Sequence, residues 1–114
     1  MSILNYGPIV EELESDLGLS TVTLAQALEV DRRTIERWQG NRSVPQGKTR
    51  ERLAELIELR DYMVGLLGSA DSARAWLKAE SLYLGGFTPE EALKAGRMDR
   101  VRADLDGLAA GIYL

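Results

Sequence analysis

The chain has 114 residues, 45% of them apolar and 28% charged, with only three prolines; this is the composition of a folded protein with room for one domain or two small helical modules sharing a core. Neither Cys nor His occurs, which removes thiolate and imidazole metal ligands, Cys/His and Ser/His/Asp catalysis and any disulfide framework. The first residues, Met1 to Pro8, lack the pattern of a secretion signal, and no apolar run approaches the ~18 residues of a membrane span, so a soluble cytoplasmic protein is expected.

The net charge of −4 is unevenly spread. Residues 1–30 carry five acids and no base, residues 31–52 have a local balance of +4, and residues 53–114 return to −3. A basic stretch inside an acidic chain is a local electrostatic feature, and it is where an anionic partner is to be sought.

Apolar residues recur at spacings of three and four without sustained alternation, which predicts an all-α fold of about six helices. The first runs from Pro8 to Leu17, with Ile9, Val10, Leu13 and Leu17 on one face and Gly18 as its stop. The second opens near Ser20 to Thr23 and carries Leu24, Ala25 and Leu28 inward. The third takes Asp31 as N-cap, runs to about Gln39 and ends at Gly40. A long connecting helix from about Thr49 to Leu67 presents Leu53, Leu56, Ile57, Met63, Val64 and Leu67 as its stripe. A fifth helix is expected from Asp71 to Leu84, broken by Gly85-Gly86. Thr88-Pro89-Glu90-Glu91 is a capping box with proline at the first helical position, and Gly96 closes the short helix it starts. Val101, Leu105 and Leu108 define the last helix, which stops at Gly111. The expected organisation is therefore residues 1–47, a helix-turn-helix domain; 48–70, a connecting helix; and 71–114, a C-terminal partner-binding domain.

Two helices that cross closely need apolar or small residues at fixed offsets, while the outer face of the second one meets the DNA major groove. Leu24, Ala25, Leu28, Val30, Ile35 and Trp38 meet those offsets, with Ala25 where the helices cross. The turn position usually given to glycine is Glu29, which must accept a left-handed conformation or relax the turn. The outer face then offers Arg32, Arg33, Thr34, Glu36 and Arg37 for base edges, and Arg42, Lys48 and Arg50 flank it as phosphate contacts. Trp38 sits on a buried offset and is expected in the core.

In the C-terminal half, Ala75-Trp76-Leu77, the run from Leu84-Gly85-Gly86 through Pro89 to Leu93, and then Gly96, Val101, Leu105 and Gly111-Ile112 resemble the toxin-binding domain of the Xre/MbcA/ParS-like antitoxins. In that family the domain follows an Xre-type helix-turn-helix, the order met here, so the resemblance extends over nearly the whole chain. It implies an antitoxin of a type II toxin–antitoxin system, with a RES-domain toxin that degrades NAD or transfers ADP-ribose as partner. Inhibition is by occlusion of the toxin's cleft, with no cofactor and no chemistry of the antitoxin's own. The basic outer face of the third helix adds the expectation that the chain binds its own operator, and a homodimer or a higher hetero-oligomer with the toxin is expected on either reading. Carried over, Trp76, Leu77, Leu84, Leu93 and Val101 are scaffold, while Gly86, Pro89, Gly111, Ile112, Tyr113 and Leu114 are the candidate toxin contacts. The chain departs from the family where a Pro-Asn pair often follows Trp-Leu; here Lys78-Ala79-Glu80 is expected to continue the helix.

Two other readings remain open on the sequence. A stand-alone helix-turn-helix repressor would use its C-terminal half only to dimerise, since paired modules read palindromic half-sites. An enzyme would have to rely on Ser/Lys or carboxylate chemistry, and the closest acid pair, Glu90-Glu91, consists of adjacent helical residues that do not face each other.

Overall fold

Helix α1 (Tyr6–Leu17) begins where the Asn5 side chain accepts a hydrogen bond from the Gly7 N–H, and ends where Gly18 turns left-handed at φ 63°. Proline at position 8 is harmless because its missing N–H belongs to the first turn. The structure, a computed structural model, describes residues 5–111. Val10, Leu13 and Leu17 recur every three to four residues and are all buried.

The Ser20 side chain caps α2 (Thr21–Leu28) by accepting from the Thr23 N–H. Helix α3 (Arg32–Gln39) follows after a three-residue turn, with Asp31 extended at its start. Glu29 adopts the left-handed conformation, φ 59°, ψ 43°, and lets the Val30 N–H reach back to the Ala25 carbonyl at 2.9 Å. The turn is thus kept tight rather than relaxed. Leu24, Ala25, Leu28, Ile35 and Trp38 are buried, and Val30 packs against them half-buried. Trp38 is a core residue at 1% exposure.

The long helix α4 (Gly47–Leu67) buries Leu53, Leu56, Leu59 and Met63 and stops at Gly68, φ 97°. Leu59 belongs to this stripe although the sequence reading passed over it; Ile57, Val64 and Leu67 are partly buried beside it. Helix α5 (Ala70–Leu77) starts at the Ser69 cap, α6 (Pro89–Lys94) at the Thr88 capping box, and α7 (Met98–Ala109) follows the left-handed Gly96. Among the described residues there are seven helices and no strand, one helix more than the rounded expectation.

One expectation fails. The fifth helix ends at Leu77 rather than Leu84, and Lys78-Ala79-Glu80 does not continue it. The Lys78 and Ala79 N–H groups make short-range bonds to Ala75 and Trp76, which tighten the last turn and redirect the chain. The nonhelical path that follows is held from elsewhere in the fold.

Buried residues of all seven helices form one continuous cluster, from Val10 and Trp38 through Leu56 and Met63 to Leu93 and Leu105. Helix α1 packs on α3 and α5, α2 on α3 and α6, and α4 runs against α1, α2, α5 and α7. Polar ties reinforce these contacts: Arg60 of α4 donates to Glu12 at 3.1 Å and Asp16 at 3.0 Å on α1, and Arg74 of α5 donates to the Ser15 carbonyl at 3.0 Å. No helix among the described residues is long and apolar enough to cross a membrane.

Candidate functional site

Two surfaces come from different halves of the sequence. The first is the outer face of α3. Because Ile35 and Trp38 turn inward, the remaining positions turn out: Arg32, Arg33, Glu36 and Arg37 are exposed and Thr34 is half-buried. Arg32 pairs with Glu36 one turn on, at 3.5 Å, both groups about half in solvent. Such a pair is weak in water. Arg33 and Arg37 have no ion-pair partner among the described residues, and Arg42, Lys48 and Arg50 are likewise exposed and unpaired on the connection to α4 and its first turns. Arg42, with Tyr6 and Val44, lines a surface concavity of about 780 Å³ beside this face.

The remaining base of this stretch has a different task. Arg52 donates to the Ala27 carbonyl at 2.8 Å and the Gly96 carbonyl at 3.4 Å, and lies 3.6 Å from the Glu29 carboxylate. It joins the helix-turn-helix to the corner between α6 and α7.

The second surface is built on residues 78–87. The Ser81 N–H donates to the Phe87 carbonyl at 2.9 Å and the Gly86 N–H returns to the Ser81 carbonyl at 2.8 Å, closing the loop on itself. The Ser81 hydroxyl donates to Asp104 of α7 at 2.7 Å, and Asp104 is buried at 3% exposure. Leu84 is buried, at 9% exposure. With the loop pinned in this way, its other large apolar side chains have nowhere to go but outward: Leu82 is 98% and Phe87 62% exposed, with Tyr83 beside them. Large apolar side chains displayed on an ordered frame are the form of a protein-binding surface.

Of the candidate toxin contacts, Gly86 lies in this loop, exposed, at φ 94° with open space where a Cβ would be; its glycine is required by conformation and not by crowding. Pro89 is buried as the first residue of α6. Gly111, φ 72°, follows the end of α7. Ile112, Tyr113 and Leu114 lie outside the described residues. Leu82, Tyr83 and Phe87 were missed by the sequence reading because the first two were assigned to a helix. Their signal was present: Leu82 falls five residues after Leu77, off the inward stripe. Asp104 also carried one, as an acid on the apolar face that Val101 and Leu105 define.

Charged groups around α6 serve the scaffold. Glu91 accepts from the Thr88 N–H at 2.8 Å and the Thr88 hydroxyl at 3.1 Å; these bonds to backbone and side chain hold its carboxyl below the ordinary value. Glu90 pairs with Lys78 and Lys94. Asp99 is pushed down to about 2, chiefly by the hydrogen bond from Arg97. Among the described residues no three acids converge as a metal site would require.

Fold and surfaces together define an all-helical protein in which a helix-turn-helix with a mostly unpaired basic face shares its core with a module that displays an ordered apolar loop. No family model matches the chain. It is homologous to the antitoxin MbcA: over 98 residues it is 28% identical to "Mycobacterial cidal antitoxin MbcA" of Mycobacterium tuberculosis and of Mycobacterium bovis, covering 86% of this chain and 86% of each relative. The fold is that of a chain in the crystal structure of the M. tuberculosis MbcT-MbcA toxin-antitoxin complex, with a TM-score of 0.68, 24% identity and full coverage of both chains.

Proposed function

We propose that this chain is an antitoxin whose C-terminal module binds and neutralises a toxin protein, and whose helix-turn-helix binds the operator of its own operon. The observation that carries the reading is the homology to MbcA, which spans both modules. The 78–87 loop supports it physically, because an exposed Leu82 and Phe87 on a pinned backbone bind without first being ordered. The toxin contact comprises this loop with Gly86, the α6 start at Pro89, and the segment from Gly111 through Ile112, Tyr113 and Leu114. The toxin is a RES-domain enzyme that consumes NAD, and the antitoxin acts by covering its cleft, with no chemistry of its own. Operator binding uses Arg32, Arg33, Thr34 and Arg37 toward bases and Arg42, Lys48 and Arg50 toward phosphates.

The test is co-expression with the product of the adjacent reading frame, followed by purification and an NAD-consumption assay with and without this chain. The expected result is a stable complex and suppressed NAD loss. Removing residues 112–114 should weaken neutralisation with far-UV helicity intact; neutralisation as before would exclude a role for that segment. A neighbouring protein that forms no complex with the chain would leave the repressor activity alone standing.

A further inference from the structure

Beside the 78–87 loop, Leu84, Phe87, Ala92 and Ala95 form the apolar walls of a cleft of about 470 Å³ into which Arg97 and Arg100 also face. The other bases of this module are neutralised or occupied. Arg74 pairs with Asp71, Lys78 and Lys94 share Glu90, and Arg97 pairs with Asp99 at 2.9 Å. Arg102 lies over the Tyr62 ring, whose hydroxyl donates to Asp106.

Arg100 is like Arg102 in lying over a ring without an ion pair, and differs from it in lining the cleft and in its buried Nε. It has no carboxylate partner among the described residues, its guanidinium carbon stands 5.4 Å from the Tyr83 ring centroid, and its Nε is buried without an acceptor. A buried donor left without an acceptor is costly, and native structures rarely tolerate one without a use. The acid that lines the cleft, Glu91, is committed to the Thr88 cap. Glu91 keeps its negative charge, but with its carboxylate turned to the cap it makes no ion pair with Arg100, whose guanidinium is left without a direct anionic partner in the cleft.

We propose that this cleft receives an aspartate or glutamate side chain of the bound toxin, flanked there by an apolar residue, with Arg100 donating to the carboxylate and Phe87 covering the contact. The proposal rests on the toxin-binding reading and supplies its electrostatic part. A guanidinium held against an aromatic ring keeps its donor fork oriented, which suits a two-oxygen acceptor. Apolar walls and the exclusion of water on docking strengthen the pair. A hydrophobic occupant alone would bury the Arg100 guanidinium charge unpaired.

The test uses the full chain and the toxin encoded beside it, with affinity measured across a salt series. At about 50 mM salt, Arg100→Gln is expected to lose roughly tenfold or more in affinity, and the difference from the wild type narrows as salt rises. Phe87→Glu, at an exposed position, sets a carboxylate beside Arg100 without touching the core and is expected to lose affinity to a similar degree. Leu82→Ser, on the loop but outside the cleft, weakens binding with the wild-type salt dependence. Affinity within about twofold of the wild type for either Arg100→Gln or Phe87→Glu, while Leu82→Ser is weakened, overturns the acidic-residue contact and leaves toxin binding intact. Absence of any complex with the wild-type chain overturns both. Thermal unfolding checks that Arg100→Gln is folded, and Phe87→Glu carries the same decision if it is not.

Discussion

Glu29 and Gly96 meet across the joint between the two modules: a Cβ on Gly96 would stand 2.7 Å from the Glu29 Oε2. Both residues have left-handed backbones, φ 59° and 76°, and Arg52 ties them by reaching the Gly96 carbonyl and the Glu29 carboxylate. The turn of the helix-turn-helix is thereby held by a residue of α4 against the end of α6. This explains how a non-glycine residue is tolerated where the backbone asks for glycine: its neighbours over-determine the conformation.

Gly96→Ala should destabilise the chain by about 1–3 kcal/mol, from the left-handed backbone together with the crowding against Glu29. In a Glu29→Ala background the crowding is gone and only the backbone part of the cost remains. Urea unfolding of the four chains in this double-mutant cycle reads the difference. An equal cost in both backgrounds would show that the carboxylate contact contributes nothing.

Ser81→Ala removes the donor to a buried carboxylate and should cost about 1–3 kcal/mol. The side chain of Asp104 is then left without its partner, and residues 82–87 lose their pin. Faster amide exchange confined to this loop, with the core of α4 unchanged, is the expected signature. Asp104→Asn keeps an acceptor oxygen and should be milder.

Acid should weaken the C-terminal module in a defined window. Glu91 and Asp99 both have carboxyls held below their ordinary values of 4.5 and 3.8 by bonds made in the folded state. A folded-state value below the unfolded one means that the contribution is whole above the ordinary value and is lost as pH falls, for Asp99 down to about 2. Melting temperatures between about pH 6 and pH 2 should decline less steeply for Glu91→Gln and Asp99→Asn than for the wild type; parallel curves would contradict the linkage.

On the DNA side, Arg33→Ala or Arg37→Ala should cost about 1–3 kcal/mol of operator affinity, as expected for a base contact. Lys48→Ala should weaken binding to all duplexes and lower the salt slope by about one. Fluorescence anisotropy with the upstream region of its own gene checks both. None of the three should alter toxin neutralisation, and an unchanged operator affinity in all of them would remove α3 as the reading helix.

How far the sequence carries is clearest at the helix starts. Ser20 and Thr88 cap within three residues of themselves, so the beginnings of α2 and α6 were legible from the chain alone. The inward stripes of α1, α3 and α4 were legible too, Leu59 apart, because burial at spacings of three and four is a property of one helix. The candidate surface on α3 followed from the same periodicity, since whatever is not inward is outward.

What the chain order could not reveal depends on partners far away. Helix propensity favours continuing α5 through Lys78-Ala79-Glu80, yet Asp104 captures Ser81 from 23 residues downstream and the backbone turns off. Arg52 reads as one more base of a positive stretch until Gly96, 44 residues on, is folded against it. Local hydrogen bonds and periodicity are written in neighbouring residues, so sequence determined the helices, their core faces and the basic outer face of α3. Which polar groups close on one another across the core is decided only when the helices pack, and that packing set the loop at 78–87 and the unpaired Arg100 beside it.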